Sequence, residues 1–328
     1  MPPFPGDVGR AGAAVALALH LRRLAGGRPA LSILLFHRVL EAPDPLLPEE
    51  PVAEGFERQM RLVRAALRPL PLGEAVHLLR ADRLPADAVA ITFDDGYENN
   101  HRLARPILER LGVPATFFVA AGFLEGQNMW NDEVIEAVRR APEGELDLEP
   151  LGLGRWSMTG VAERRRLIDT LLAAWKYLPP EERSERVAAL SALVGGRSPS
   201  LMMRPEAVAE LAASGFEVGG HTLSHPILAR LGEAEAAREI EAGKQRLEEI
   251  IGRRITLFAY PNGKPGTDYT ARDVALVGRA GFEAAVSTAK GVARRGSDLY
   301  QLPRFTPWDR SAGRFAVRLL ANHVGGRP

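Results

Sequence analysis

Two short stretches hold side chains that could do chemistry together. The first, Ile91-Thr92-Phe93-Asp94-Asp95-Gly96-Tyr97, ends an apolar run in adjacent carboxylates and a glycine. Neighbouring side chains at a strand end point in different directions, so one carboxylate can bind a cation while the other stays free to take a proton. Gly96 lets the backbone turn sharply there. The competing reading has Asp94 or Asp95 cap the following helix, as strand–Asp–Gly turns commonly do. The second stretch, Gly219-Gly220-His221-Thr222-Leu223-Ser224-His225-Pro226, places two histidines four apart. On a helical turn they would face the same side and suit two ligands on one metal. Solvated surface histidines are the plain alternative. Together the stretches supply a two-histidine, one-carboxylate set, which leaves coordination positions open for water and substrate.

Groups so far apart in the chain need a scaffold that brings them to one edge. Short β-rich runs at 31–36, 88–93, 115–119, 216–219, 255–260, 283–287 and 299–305 alternate with helical patterns near 56–67, 72–80, 100–111, 205–214, 233–251 and 268–280. That alternation predicts βα units around a parallel sheet. Seven strands point to an α/β fold of the (β/α)-barrel type, a distorted, incomplete TIM-like barrel, with an open doubly wound sheet as the alternative. Barrel enzymes carry their catalytic groups at the strand ends, where both stretches fall. The interval 121–204 is too long for a simple crossover and holds helical patterns near 132–140, 162–176 and 181–194, so it reads as a helical insertion. Residues 1–30 form an N-terminal helical extension, 31–310 the barrel domain, and 311–328 a C-terminal helix or tail.

The chain has 328 residues, 46% hydrophobic and 25% charged, the composition of a soluble globular protein. Its 42 basic and 41 acidic residues leave a net charge of +1, so no global footprint for nucleic acid follows. The absence of cysteine excludes disulfides, a thiolate nucleophile and Cys-ligated metal. The apolar run 11–19 falls short of the roughly 20 residues that span a bilayer. Arg10 before it and Ala16-Leu17-Ala18 within it allow a signal peptide, but the run overlaps its own would-be cleavage site. A surface helix, with peripheral membrane contact as one use, fits better. The expected location is therefore cytoplasmic or peripheral at the inner membrane face.

Thr92-Phe93-Asp94-Asp95-Gly96-Tyr97 followed by His221-Thr222-Leu223-Ser224-His225 resembles the polysaccharide deacetylase family, the NodB-homology domain of carbohydrate esterase family 4. The resemblance covers roughly residues 31–310 apart from the insertion. It implies that Asp94 is the general base and that Asp95, His221 and His225 hold a divalent metal, zinc by default, with cobalt, nickel or iron as alternatives. It also implies hydrolysis of N-acetyl groups on a glycan. Phe258-Ala259-Tyr260-Pro261-Asn262-Gly263 is similar to a further family motif, which makes the Asn262 N–H an oxyanion donor and places Tyr260 and Pro261 at the substrate. Many members have an Arg where this chain has Ala259, and that Arg orients the base; Arg304 is the candidate substitute. Leu34-Leu35-Phe36-His37-Arg38-Val39 is similar to an element of the poly-N-acetylglucosamine deacetylase branch, where an early histidine serves as the acid. His37 is otherwise a core histidine. Trp308 would wall the acetyl pocket, stack on a sugar, or lie buried as plain core.

The reaction so implied is metal-assisted amide hydrolysis. Rival readings are a hydrolase of a small non-sugar amide, an iron oxygenase on the same ligand set, and a glycan-binding protein with a dead site. The spare carboxylate of Asp94 suits hydrolysis better than oxygen chemistry.

Overall fold

A computed structural model describes residues 5–24, 27–309 and 311–325. The chain divides into two compact units, one of residues 1–42, 49–125 and 203–328, the other of 43–48 and 126–202. In chain order the first unit contributes α1 (Pro5–Leu24), β1 (Ser32–Phe36), α2 (Ala53–Ala66), β2 (Arg68–Pro69), α3 (Leu72–Arg80), β3 (Ala88–Phe93), a π turn (Asn100–Ala104) leading into α4 (Arg105–Leu111), and β4 (Thr116–Val119). The second unit supplies α5 (Trp130–Arg140), β5 (Glu145–Asp147), β6 (Arg155–Ser157), α6 (Val161–Trp175) and α7 (Pro180–Val194). The first unit resumes with α8 (Pro205–Ala213), β7 (Glu217–Gly220), α9 (Glu233–Ile251), β8 (Leu257–Ala259), α10 (Ala271–Arg279), β9 (Ala284–Lys290), β10 (Leu302–Arg304) and α11 (Ala312–Gly325).

Seven strands run in parallel in the order β1-β3-β4-β7-β8-β9-β10, with the short β2 alongside β3. The path nearly closes. Phe305, just past β10, donates its N–H to Ile33 O and accepts from Leu35 N at 2.8 and 2.9 Å. This is the seven-stranded, incompletely closed barrel that the alternation predicts.

Alternation along each strand separates two cores. Ala88 and Ala90 of β3, Phe118 of β4, Leu257 and Ala259 of β8, Ala284 and Val286 of β9 and Leu302 of β10 fill the lumen. The intervening Val89, Ile91, Phe93, Phe117 and Phe258 pack outward against helices. Phe93 stacks between Phe36 and Phe117 at centroid distances of 5.4 and 4.9 Å, binding three adjacent strands on that outer face. Because the period is two, the series that puts Ala88 and Ala90 inward continues through Thr92 to Asp94. The series Leu31, Ile33, Leu35 likewise ends at His37, and Leu302 leads to Arg304. Three polar side chains thus reach one end of the lumen by register alone.

The second unit differs from the all-helical expectation. β5 and β6 form an antiparallel hairpin, and Trp175, Leu167, Leu171, Leu190 and Val134 build a core of its own. Residues 43–48 join this unit, with Asp44 bound to Arg139 at 2.6 Å. A contact across 95 residues leaves no local trace in the sequence. In the first unit the helix expected from 268 starts at 271, because Thr270 and Asp273 form a reciprocal capping box there.

Candidate active site

Asp94 and Asp95 sit at the end of β3, and both are buried. Neither caps a helix. The Asp94 carboxylate takes two parallel bonds from the Arg304 guanidinium, Nη1 to Oδ1 at 2.7 Å and Nη2 to Oδ2 at 2.6 Å. Arg304 is itself buried in the lumen and anchored through Nε to Ser287 O at 2.9 Å. Burial alone would raise the Asp94 carboxyl, but the Arg304 charge and its hydrogen bonds outweigh it and hold Asp94 below the usual carboxylate range. A bidentate fork of this kind fixes orientation as well as charge.

Asp95 turns the other way. Its φ of +77° is rare for a residue with a Cβ. Gly96 follows at φ +95°, where an added Cβ would lie 2.9 Å from Val119 Cγ1. Asp95 Oδ1 lies 3.3 Å from His221 Nε2 and 3.4 Å from His225 Nε2. The two imidazoles do not share a helical turn, as their spacing suggests. They sit on an irregular loop in which Thr222 and His225 both take positive φ, +63° and +55°, and Pro226 keeps His225 out of the helical region. Of the five non-glycine residues with positive φ among those described, four (Asp95, Thr222, His225 and Asn262) belong to this site. Strain of about 1–3 kcal/mol each, gathered in one place, is typical of functional sites.

The donor set fits a metal ion. One atom from each of Asp95, His221 and His225 lies within 4.8 Å of the others. The two oxygen–nitrogen separations match the roughly 3.4 Å edge of a tetrahedron with bonds of about 2.1 Å, the length zinc makes to nitrogen and oxygen. They are too long for good hydrogen bonds. His221 Nδ1 lies 2.7 Å from Ala259 O, which can only accept, so the proton sits on Nδ1 and Nε2 offers its lone pair. Burial pushes the His225 imidazole down to about 4, so it is neutral near pH 7. For His221 burial also favours the neutral form, but Asp95 and Asp94 outweigh it and raise the imidazole.

Helix α9 shapes this loop, and nothing in the two motifs points to it. Glu239 accepts from the Leu223 and Ser224 N–H groups at 3.1 and 2.8 Å and from Ser224 Oγ at 2.7 Å. One turn on, a Cβ at Gly243 would stand 2.5 Å from the Thr222 carbonyl carbon. Glutamate and glycine four apart on a helix face are the only trace in the sequence. Gly243→Ala should push the His221–His225 loop away and weaken metal binding by about 10–100-fold, the range for disturbed outer-shell partners. Metal titration checks this; unchanged affinity would show that the loop tolerates the shift.

Of the remaining predicted residues, His37, Asn262, Arg304 and Trp308 line a cavity of about 740 Å³, with Glu50 beside them in its wall. His37 is half-buried and follows Phe36, whose carbonyl accepts the Asp94 N–H at 2.9 Å. That places it at the cavity rather than in the core. Glu50 was not foreseen. Burial raises its carboxyl, although the charges of His37 and Arg38 oppose this, and its Oε2 accepts the Arg38 N–H at 3.2 Å. Asn262 has φ +58°, and among the described residues its backbone N–H has no hydrogen-bond partner. Trp308 is 49% exposed, which removes the plain-core alternative, and Arg318 lies over its ring at 5.8 Å. Tyr260 corrects the expectation of a substrate contact. Its side chain is fully buried, stacked on Tyr269 at 3.8 Å. Pro261 is buried as well. The ring at 260 fills space behind the site instead of facing it.

The sequence model of the polysaccharide deacetylase family matches residues 81–149 and 175–285, more than half of the chain. The chain belongs to the polysaccharide deacetylase family. With that family comes its chemistry, the hydrolytic removal of acetyl groups from polysaccharides. This deacetylase is 21% identical over 280 residues to YxkH of Bacillus subtilis, which is assigned by name to the polysaccharide deacetylases, covering 84% of this chain and 71% of that one. Its fold is similar to the Streptococcus pyogenes deacetylase PplD, solved in complex with acetate, at a TM-score of 0.60, 17% identity and 92% and 100% coverage. It is similar to IcaB from Ammonifex degensii at a TM-score of 0.56, 22% identity and 88% and 97% coverage. At such identities these structures speak for the fold alone.

Proposed function

We propose that this chain is a metal-dependent deacetylase that hydrolyses the N-acetyl group of an N-acetylglucosamine-containing glycan, releasing acetate and leaving a free amine. The observation that carries the reading is the division of labour between adjacent carboxylates. Asp95 faces two imidazoles while Asp94, locked by Arg304, stays outside that group. A divalent ion held by Asp95, His221 and His225 would polarise the acetamide carbonyl and lower the pKa of water from about 15.7 toward about 7. Zinc is the default for this ligand set, and cobalt, nickel or iron are compatible with it.

Asp94 takes a proton from the attacking water, and its bonds to Arg304 keep the carboxylate ionised and aimed. The Asn262 N–H donates to the carbonyl oxygen as negative charge builds on it. An amide nitrogen cannot leave as an anion, so His37 gives it a proton as the carbon–nitrogen bond breaks. Half-exposed Trp308 offers a face on which a sugar ring can stack. The position of His37, far ahead of the base in the chain, favours the poly-N-acetylglucosamine deacetylase branch.

Acetate release across N-acetylated glycans and small non-sugar amides tests the reading. Turnover of chito-oligosaccharides is expected, and binding without acetate would sink it. In the same assay His37→Ala should keep its metal yet lose about 10²–10⁴-fold in kcat. A substrate with a more acidic amine needs less protonation and should recover part of the loss. Normal turnover, or a defect in folding alone, would return His37 to a structural role.

A further inference from the structure

The helices at the two ends of the chain share a surface that the site does not use. α1 buries Val15 and Leu19, and α11 buries Phe315, Ala316 and Leu319, all in the barrel's outer core. The opposite face of α1 is apolar too. Leu17, Leu21 and Leu24 recur at helical spacing and are 59, 56 and 71% exposed. Val317 and Val324 of α11, seven residues apart, are 69 and 46% exposed. Large apolar side chains recurring on faces turned away from a core mark a docking surface.

Charge says what would cover it. Residues 5–31, which include α1, contain Arg10, Arg22, Arg23 and Arg28 against Asp7, and residues 311–328 contain Arg314, Arg318 and Arg327 with no acidic residue. The whole chain is +1, so everything outside these segments sums to −5. Exposed Arg10 continues the Leu17, Leu21, Leu24 row at helical spacing and exposed Arg314 the Val317, Val324 row, so a second copy docking through this face would bring like charges together. An anionic bilayer accepts both the leucines and the arginines. Among the described residues no helix is long and apolar enough to cross a membrane, so α1 would lie along the surface.

We infer that the outward faces of α1 and α11 bind an anionic lipid surface. α11 also contributes Arg318, Ala321 and Asn322 to the wall of the candidate cavity, so the docking face and the cavity share a helix. If the deacetylase reading holds, glycans carried on membrane lipids are the substrate class this arrangement serves.

Vesicle sedimentation decides the matter. The wild-type chain should partition onto phosphatidylcholine vesicles containing phosphatidylglycerol roughly tenfold better than onto phosphatidylcholine alone, and high salt should weaken this. The double substitution Leu17→Glu, Leu21→Glu, at exposed positions, should lose about tenfold or more while keeping its melting temperature. Equal partitioning of both proteins, or no binding to anionic vesicles, would overturn the inference. So would a dimer by light scattering that the double substitution dissolves, since the face would then join two copies. A lipid-tethered chito-oligosaccharide should be hydrolysed faster than the soluble one by the wild type and not by the variant. If neither releases acetate, the deacetylase reading fails, and the vesicle result still decides the surface by itself.

Discussion

Asp94→Asn should retain its metal and its fold while losing about 10²–10⁴-fold of turnover, with the loss in kcat rather than KM. Asparagine keeps the shape of the side chain but cannot take a proton, and Asp95 remains to hold the ion. The substitution also opposes one amide N–H₂ to the Arg304 guanidinium, donor against donor, inside the lumen. Breaking a buried pair by removing one partner costs about 3–5 kcal/mol, and the oxygen that asparagine keeps should hold the loss near the lower end. Calorimetry and metal analysis on the same sample separate these effects. Loss of the metal would mean that the two carboxylates have exchanged roles.

The same pair sets a pH dependence with a definite sign. The Asp94 carboxyl is held below its ordinary value in the folded chain, so its pairing stabilises the fold above the unfolded carboxylate pKa of about 3.9. That contribution disappears as pH falls through the folded value. Arg304→Met leaves burial unopposed by the guanidinium, and the carboxyl rises. The acid limb of kcat/KM should therefore move to higher pH in this variant. A profile superimposable on the wild type would show that Arg304 only fills space.

Replacing His221 or His225 by alanine should remove most of the metal and essentially all activity. Two ligands remain in each variant, too few for a tight site of this kind. An ion held by Asp95, His221 and His225 would bind only the folded chain, so chelation of the wild type should lower the melting temperature by several degrees. The same treatment should leave His221→Ala unmoved. Full metal retention in both variants, measured by elemental analysis after dialysis, would place the ion elsewhere.

How much of this could be read without a structure depends on the range of each interaction. Strand positions, the barrel and the strand-end placement of Asp94, Asp95 and His221 follow from hydrophobic period and local turn residues, which act over a few positions. His37 reaches the lumen by the same period-two rule. Three things needed the folded chain. The histidine loop is shaped by Glu239 and Gly243 of α9, whose partners lie 15 or more residues away and impose a backbone that spacing alone misassigns to a helical turn. Tyr260 has the motif position of a substrate contact, but its ring direction is decided by stacking on Tyr269. The orienting partner of Asp94 is Arg304, 210 residues on. Sequence order could nominate it, but only closure of the sheet between β10 and β1 brings a guanidinium across the lumen to a carboxylate. The residue types that could do the chemistry are therefore local information. Which atoms meet is decided by barrel closure, because long-range packing alone fixes the distance between strand ends.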